Sequence, residues 1–297
     1  MPCYWPLRAF RQERSGRVSV GYELPDSRPL SLPCGRCFGC RHERARVWSI
    51  RCMNEASLWK ANSFLTLTYD DDQLPMDNNL VPDHLRDFWK RLRRRFSGVE
   101  LSPDGSHPIR YFACGEYGDR TARPHYHVLV YNFVFPDARK FGQDTQISDV
   151  LSELWPYGNH SIGTVTPRSA AYVARYCVKK THRSSDWVDP LTGEVTDRVP
   201  EFSRMSLKPA IGHWWFERYK RDIYRGYQIV DGRKVRLPRY YAERLKYAYE
   251  DFEREQSERR EVWLLDQDPN ERSEQRLDDK EVVARAKARF FRGDPVL

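Results

Sequence analysis

Three groups of residues in this 297-residue chain have the types and spacing for chemistry. The first is His125-Tyr126-His127, which leads into the apolar run Val128-Leu129-Val130-Tyr131. Such a run reads as a strand, and residues two apart on a strand project from one face, so both imidazoles point together. Two imidazoles side by side are a natural pair of metal ligands. Glu116, on the Gly-rich turn that precedes this strand, can bring a carboxylate to the same face. Two imidazoles and one carboxylate form a facial set with open positions. It suits Mg²⁺ or Mn²⁺ clamping a phosphate, or non-haem iron activating oxygen.

The second group favours the phosphate reading. Residues 169–180 read as a helix, on which Tyr172, Tyr176 and Lys179 fall along one stripe. Partly buried tyrosines with a snorkelling lysine would be the structural alternative. As chemistry, the stripe is a nucleophile pair with a cation beside it. A phenol with a free pKa of ~10 attacks poorly until a base or a nearby cation stabilises its phenolate. Lys179 could supply that charge or protonate a leaving 3′ oxygen. An iron oxygenase has no need of the stripe, whereas a phosphodiester transferase does.

The third group is Cys34-Gly35-Arg36-Cys37-Phe38-Gly39-Cys40, three of the seven cysteines. Without a secretory signal, this spacing reads as metal binding before disulfides. Tetrahedral Zn²⁺ needs a fourth ligand. Cys52 is the first candidate, since the intervening helix could fold it back, with Cys3 and His42 as the others. An iron–sulfur cluster would want a cysteine where Arg44 stands. Cys114 and Cys177 read as small core residues.

These groups need elements to position them. Residues 1–33 read as loops with one short hairpin, residues 41–60 as a helix, and Ser63–Tyr69 as a strand. Residues 83–96 make an amphipathic helix whose buried stripe is Leu85, Phe88, Trp89, Leu92 and Phe96. Its other side crowds Lys90, Arg91, Arg93, Arg94 and Arg95, five cations in six residues, which suits a phosphate backbone. Strands at Ile109–Cys114 and His125–Phe133 follow, then the tyrosine helix, a turn-bearing stretch at 186–200, and charged helices at 243–260 and 271–292. Helices and hairpins without βαβ alternation predict an α+β fold. Three regions are expected: a Cys-rich segment and helix (1–62), a core (63–182), and a loop with a basic, helical C-terminal region (183–297).

The chain carries 50 Lys+Arg against 42 Asp+Glu. From Tyr241 onward there are 12 basic and 15 acidic residues, which leaves residues 1–240 at +11. A positive body with a mixed tail suits a polyanionic partner. With 13% aromatic residues the chain is not of disordered type. It contains no apolar run of the ~18–20 residues a membrane span needs, and its start lacks a secretory h-region, so a soluble intracellular protein is expected.

Taken together, several segments resemble replication initiators of the HUH endonuclease superfamily, and more closely the replication-associated proteins of gokushovirus-type Microviridae, small single-stranded DNA phages. The segments are Pro33-Cys34-Gly35, Cys37 and Gly39-Cys40; Arg51-Cys52-Met53 with Glu55; Phe64-Leu65-Thr66-Leu67-Thr68-Tyr69; Gly115-Glu116-Tyr117-Gly118 with Arg123-Pro124-His125-Tyr126-His127; and Tyr172 through Lys180. Met205-Ser206, Lys208-Pro209, Ile211-Gly212 and Pro238-Arg239-Tyr240-Tyr241 continue the match to about residue 245. The resemblance implies a five-stranded antiparallel sheet flanked by helices, with His125, His127 and Glu116 holding Mg²⁺ or Mn²⁺. It also implies that Tyr172 and Tyr176 alternate as nucleophiles in rolling-circle replication. The substrate would be single-stranded or supercoiled viral DNA, gripped by the basic helix and by Arg123. The place of action would be the bacterial host's cytoplasm, with host polymerase and helicase as protein partners. The alternative from another class is a non-catalytic, zinc-containing DNA-binding protein.

Overall fold

A computed structural model of the chain describes residues 3–97, 108–118, 121–179, 186–188, 195–266 and 268–290, with backbone alone at 176–179, 186–188, 195–197, 269 and 289–290. Strands β1 (Leu7–Gln12), β2 (Val18–Val20) and β3 (Ser27–Leu32) precede helix α1 (Phe38–Ala56). Then come β4 (Asn62–Thr68), α2 (Pro82–Arg95), β5 (Arg110–Tyr117), β6 (Pro124–Tyr131), β7 (Arg139–Phe141) and β8 (Thr145–Ile147). After α3 (Asp149–Leu154), β9 (His160–Gly163) and α4 (Pro167–Lys179) follow β10 (Asp186–Val188), β11 (Val195–Asp197), β12 (Phe202–Met205) and α5 (His213–Tyr219). The chain closes with β13 (Tyr227–Val230), β14 (Arg233–Arg236), α6 (Arg239–Ala248), α7 (Phe252–Leu265) and α8 (Glu274–Phe290). Two compact units result, one of residues 1–44 with the segment from Glu243, the other of Ala45–Ala242.

In the first unit the N-terminal residues form an antiparallel sheet in the order β2-β1-β3, not loops with a single hairpin. Its strands carry Arg, Ser and Pro in place of a clear apolar alternation. Pro29 lies on β3, an edge strand, where its missing N–H costs no ladder bond.

The second unit is built on a seven-stranded sheet, β12-β5-β6-β4-β9-β8-β7, with antiparallel neighbours throughout. The class is α+β, but the sheet is two strands wider than the five expected. The addition at one edge is the β7–β8 hairpin, whose strands have three residues each and whose Arg139, Lys140 and Phe141 are all exposed. Strands that short, with no buried face, leave no period-two signal to read.

Strand alternation gives the sheet two distinct faces. On one, Leu65, Leu67, Ala113, Tyr126, Val128 and Val130 form a core with Leu85, Phe88, Trp89 and Leu92 of α2. On the other, Phe112, Cys114, Leu129 and Tyr131 pack with Cys52 and Ala56 of α1 and with Ala170 and Val173 of α4. Helix α1 is pinned there by a buried ion pair, Glu55 Oε1 to Arg110 Nε at 2.7 Å, with both side chains at most 2% exposed. Removing one partner of such a pair costs ~3–5 kcal/mol because the other charge is left alone. Each partner makes a further hydrogen bond: Glu55 Oε2 accepts from Gly212 N at 2.6 Å, and Arg110 Nη2 donates to the Pro209 carbonyl at 2.9 Å.

One glycine fixes the end of β4. Gly158 sits at φ +151, where an added Cβ would lie 2.3 Å from the Asp70 backbone nitrogen. That closeness lets Asn159 and Tyr157 offer carbonyls to Thr68 N and Asp70 N at 2.9 and 3.0 Å.

Candidate active site and metal centres

The ligand geometry begins with register. In an antiparallel pair, directly opposed residues point to the same face. Strand β5 meets β6 with Glu116 opposite His125 and Cys114 opposite His127. Glu116 therefore lies on a strand, not on the turn assigned to it, and its carboxylate faces both imidazoles. Its Oε1 is 2.8 Å from His125 Nε2 and 2.7 Å from His127 Nε2. Strand β4 adds Thr66 opposite His127 and Phe64 two residues before it.

Neighbours hold the rings in place. His125 Nδ1 lies 3.2 Å from the Arg123 carbonyl, which can only accept, so Nδ1 carries the proton and Nε2 is the metal-facing atom. His127 Nδ1 contacts Thr66 Oγ1 at 3.1 Å, and its ring stacks on Phe64 with centroids 5.6 Å apart. Thr66 and Phe64 escape a reading that looks for ligands. Their signal is indirect: alternate positions on the strand paired with the His strand.

The tyrosine helix approaches the same face. Its first turn is closed reciprocally, Ser169 N donating to Thr166 Oγ1 at 3.1 Å and Thr166 N to Ser169 Oγ at 2.8 Å, with Pro167 as the first helical residue. Six residues past Thr166, the Tyr172 hydroxyl donates to Glu116 Oε1 at 3.3 Å, and its ring meets His127 edge-on at 4.9 Å. Tyr176 and Lys179 are on the α4 backbone, one and two turns further, and their side chains lie outside the described residues.

The donor set fits a divalent cation. The ligand atoms of Glu116, His125 and His127 all lie within 4.8 Å of one another. Glu116 is 1% exposed, and its Oε2 is buried with no hydrogen bond among the described residues, which is costly unless a cation takes it up. Burial disfavours the charged form of each group. At His125 the hydrogen bond and charge of Glu116 outweigh burial and raise the pKa, while at His127 burial prevails and lowers it. For Glu116, burial is outweighed by the two imidazoles, and its pKa falls.

The basic candidates fall elsewhere. Helix α2 covers the sheet face opposite the His pair, so Lys90, Arg91, Arg93, Arg94 and Arg95 are not beside the ligands. Arg91 donates to the Leu154 carbonyl at 3.0 Å, Lys90 pairs with Asp87 at 3.4 Å and Arg95 with Glu153 at 3.7 Å, while Arg93 and Arg94 are exposed. Arg123 braces the end of β4, pairing with Asp71 at 2.5 Å and donating to the Tyr69 carbonyl at 3.0 Å.

A second cluster lies in the first unit. Cys3, Cys34, Cys37 and Cys40 place their sulfurs within 4.8 Å of one another. The fourth thiol is thus Cys3, not Cys52, which is buried with Ala56, Cys114 and Tyr131. Cys52 sits three turns beyond Cys40 on the same helix, and a helix that continues cannot fold back on its own start. The Cys34–Cys40 and Cys37–Cys3 separations are each 4.0 Å, far from a bond of ~2.05 Å. They are close to the ~3.8 Å edge of a sulfur tetrahedron with ~2.3 Å metal bonds. Backbone amides point at the sulfurs, among them Cys34 N to Cys3 at 3.2 Å, Cys37 N to Cys34 at 3.3 Å and Cys40 N to Cys37 at 3.4 Å. The turn that aims them passes through Gly35 at φ +74. Burial disfavours the Cys37 thiolate, yet the amides of Cys40 and Tyr4, with the neighbouring Cys40 and Cys34 thiols, outweigh it and bring its pKa to about 7, while burial pushes Cys3 and Cys40 up.

Both centres make predictions. A metal at the first must displace the His125 proton. Calorimetric titration with Mn²⁺ should show affinity rising up to ~tenfold per pH unit below the raised His125 pKa, then levelling off. In the metal-free protein the His125–Glu116 pair stabilises the fold between the depressed Glu116 pKa and the raised His125 pKa, fading on the acid side as Glu116 protonates and on the alkaline side as His125 loses its proton. For the second centre, bound zinc measured by atomic absorption should be lost in Cys3→Ser and kept in Cys52→Ser.

Residues 62–181 match the family model described as Replication-associated protein ORF2/G2P. The chain is 36% identical over 255 residues to the replication-associated protein VP4 of Bdellovibrio phage phiMH2K, covering 81% of this chain and 76% of that protein. It is 33% identical over 277 residues to the replication-associated protein ORF2 of Spiroplasma virus 4, with 84% and 82% covered. To the replication-associated protein ORF4 of Chlamydia phage 1 it is 32% identical over 239 residues, with 76% and 56% covered. No solved structure matches the chain. Identity of this level along most of both chains, spanning the strands and helix that carry Glu116, His125, His127 and Tyr172, places the chain in the family of replication-associated proteins of Microviridae-type phages.

Proposed function

We propose that the chain initiates phage DNA replication by nicking a single DNA strand with a tyrosine and later rejoining it. The observation that carries this reading is the Tyr172 hydroxyl held on Glu116 Oε1, the same oxygen that faces both imidazoles. A nucleophile, a carboxylate and two metal-ligating nitrogens then share one small volume.

Glu116, His125 and His127 would hold Mg²⁺ or Mn²⁺, which when bound offers positive charge to the non-bridging oxygens of a scissile phosphate. Carboxylate and imidazole donors with open positions suit those ions. Glu116 orients the Tyr172 phenol by accepting its hydrogen bond. As the phenolic oxygen bonds to phosphorus, the phenol proton passes along its hydrogen bond to Glu116 and on to water, and the bond from phosphorus to the 3′ oxygen breaks. The leaving oxygen takes up a proton, for which Lys179 is the candidate donor. The products are a 5′-phosphotyrosine and a free 3′-OH, so the energy of the broken linkage stays available for rejoining. Tyr176, one helical turn from Tyr172, is the second nucleophile: while one phenol is occupied the other cuts the regenerated junction, and the freed 3′-OH attacks the first linkage to close a circle. The four-cysteine cluster is read as structural Zn²⁺.

The test is formation of an SDS-resistant protein–DNA adduct on the phage's circular single strand with Mn²⁺. Chelator should abolish it, Glu116→Gln should reduce it by ~10²-fold or more, and the Tyr172→Phe/Tyr176→Phe double variant should form none. Persistent DNA binding without any adduct from the unaltered protein would leave the zinc-containing, non-catalytic DNA-binding reading in its place.

A further inference from the structure

Outside the site, the β13–β14 ribbon with the residues that lead into it is a strongly basic surface of the second unit. Between Arg218 and Arg239 there are eight basic residues and two acidic ones. Arg218, Arg221, Arg233, Lys234 and Arg236 are exposed, and none has a carboxylate partner among the described residues. By contrast, three of the six cations on α2, Arg86, Lys90 and Arg95, are paired with acids, and Arg91 is engaged with a backbone carbonyl.

The ribbon has an inner and an outer face. Its register pairs Tyr227 with Arg236, Gln228 with Val235, Ile229 with Lys234, and Val230 with Arg233. Gln228 is buried and accepts a hydrogen bond from Asn54 of α1 at 3.2 Å. That contact seats the Gln228 face on the helix covering the sheet face that bears Glu116, His125 and His127. Alternation then turns Tyr227, Ile229, Lys234 and Arg236 outward. The turn is a tight one, with Asp231 at φ 48 and Gly232 at φ 73, the two left-handed residues of the hairpin geometry that matches strand twist.

We infer that this ribbon is a binding surface for double-stranded DNA, carried on the same side of the sheet as the candidate nicking centre. It rests on the reading that the chain acts on DNA and adds where the duplex is gripped. A two-stranded ribbon fits the width of the major groove, and its cations reach phosphates on either wall. Ile229, 59% exposed at the centre of the outward face, suits apolar contact with a thymine methyl. Tyr227 is covered by Lys234, whose Nζ lies 4.9 Å from the ring centroid, so the face offers charge rather than an open platform for stacking single-stranded bases.

The experiment measures anisotropy of a labelled random duplex of roughly 20 base pairs with full-length protein in chelator, across about 50 to 200 mM salt. The Lys234→Ala/Arg236→Ala variant should weaken binding about tenfold or more and flatten the log–log salt slope by about 1.8, two contacts at ~0.9 each. The charge-keeping Lys234→Arg/Arg236→Lys variant should retain the slope, which separates lost charge from lost folding. An Arg93→Ala/Arg94→Ala/Arg95→Ala variant on α2 should change it less. Wild-type affinity and slope in the ribbon variant, or absence of duplex binding in the unaltered protein, would overturn the inference. Adduct formation on single-stranded DNA is scored separately: adduct without duplex binding sinks only the ribbon, and duplex binding without adduct sinks only the nicking chemistry.

Discussion

The arrangement depends on the register between β5 and β6. Because opposed residues in an antiparallel pair share a face, Glu116 opposite His125 and Cys114 opposite His127 put one carboxylate between two imidazoles. A slip of one residue would turn Glu116 to the α2 side and bury Gly115 and Tyr117 where the ligands now stand. The apolar residues of the same strands hold that register. Phe112 and Cys114 belong to one core and Ala113 and Tyr117 to the other, so any slip would exchange both cores at once. The ligand cluster is therefore stabilised by packing on both sides of the sheet.

That two-sidedness also divides labour. The α2 face is sealed by aromatic and aliphatic packing, including Trp89 stacked on Tyr111 at 4.0 Å. The other face carries α1 and α4, and with them Glu116, His125, His127 and Tyr172. The buried Glu55–Arg110 pair sits at this second face and ties α1 to the sheet and to the segment around Gly212. A buried pair of this kind is weak evidence for net stability, but it demands a definite geometry, since a misplaced partner leaves a charge unmatched. It thereby fixes the helix on which Asn54 holds the basic ribbon.

Much of this was legible in the residues. His125 and His127 at strand spacing, and Tyr172 at helical spacing from Tyr176, carry their geometry in the period of their elements. The α+β class followed from hairpins mixed with helices. Other features depend on pairing between distant segments. Glu116 reads as a turn residue because glycines flank it, and only the ladder with β6 makes it a strand residue. Cys3 lies 31 residues before Cys34, beyond the reach of any local spacing rule, and it is delivered by the fold of the N-terminal sheet. The cations of α2 are conspicuous as a run, but which face of the sheet they serve is decided by Leu85, Phe88, Trp89 and Leu92 on the other side of the helix. Three of the ribbon cations, Arg233, Lys234 and Arg236, lie within four residues on β14, but only the pairing with β13 turns Lys234 and Arg236 outward beside Tyr227 and Ile229.

The central claim is that one divalent cation sits between Glu116, His125 and His127, beside Tyr172. The most direct measurement is anomalous diffraction at the manganese edge from crystals of the full chain soaked in Mn²⁺. The account predicts a single strong peak in that site, bonded to Glu116 and to both Nε2 atoms, and lost in Glu116→Gln. A featureless map at the three ligands with Mn²⁺ bound elsewhere would contradict it.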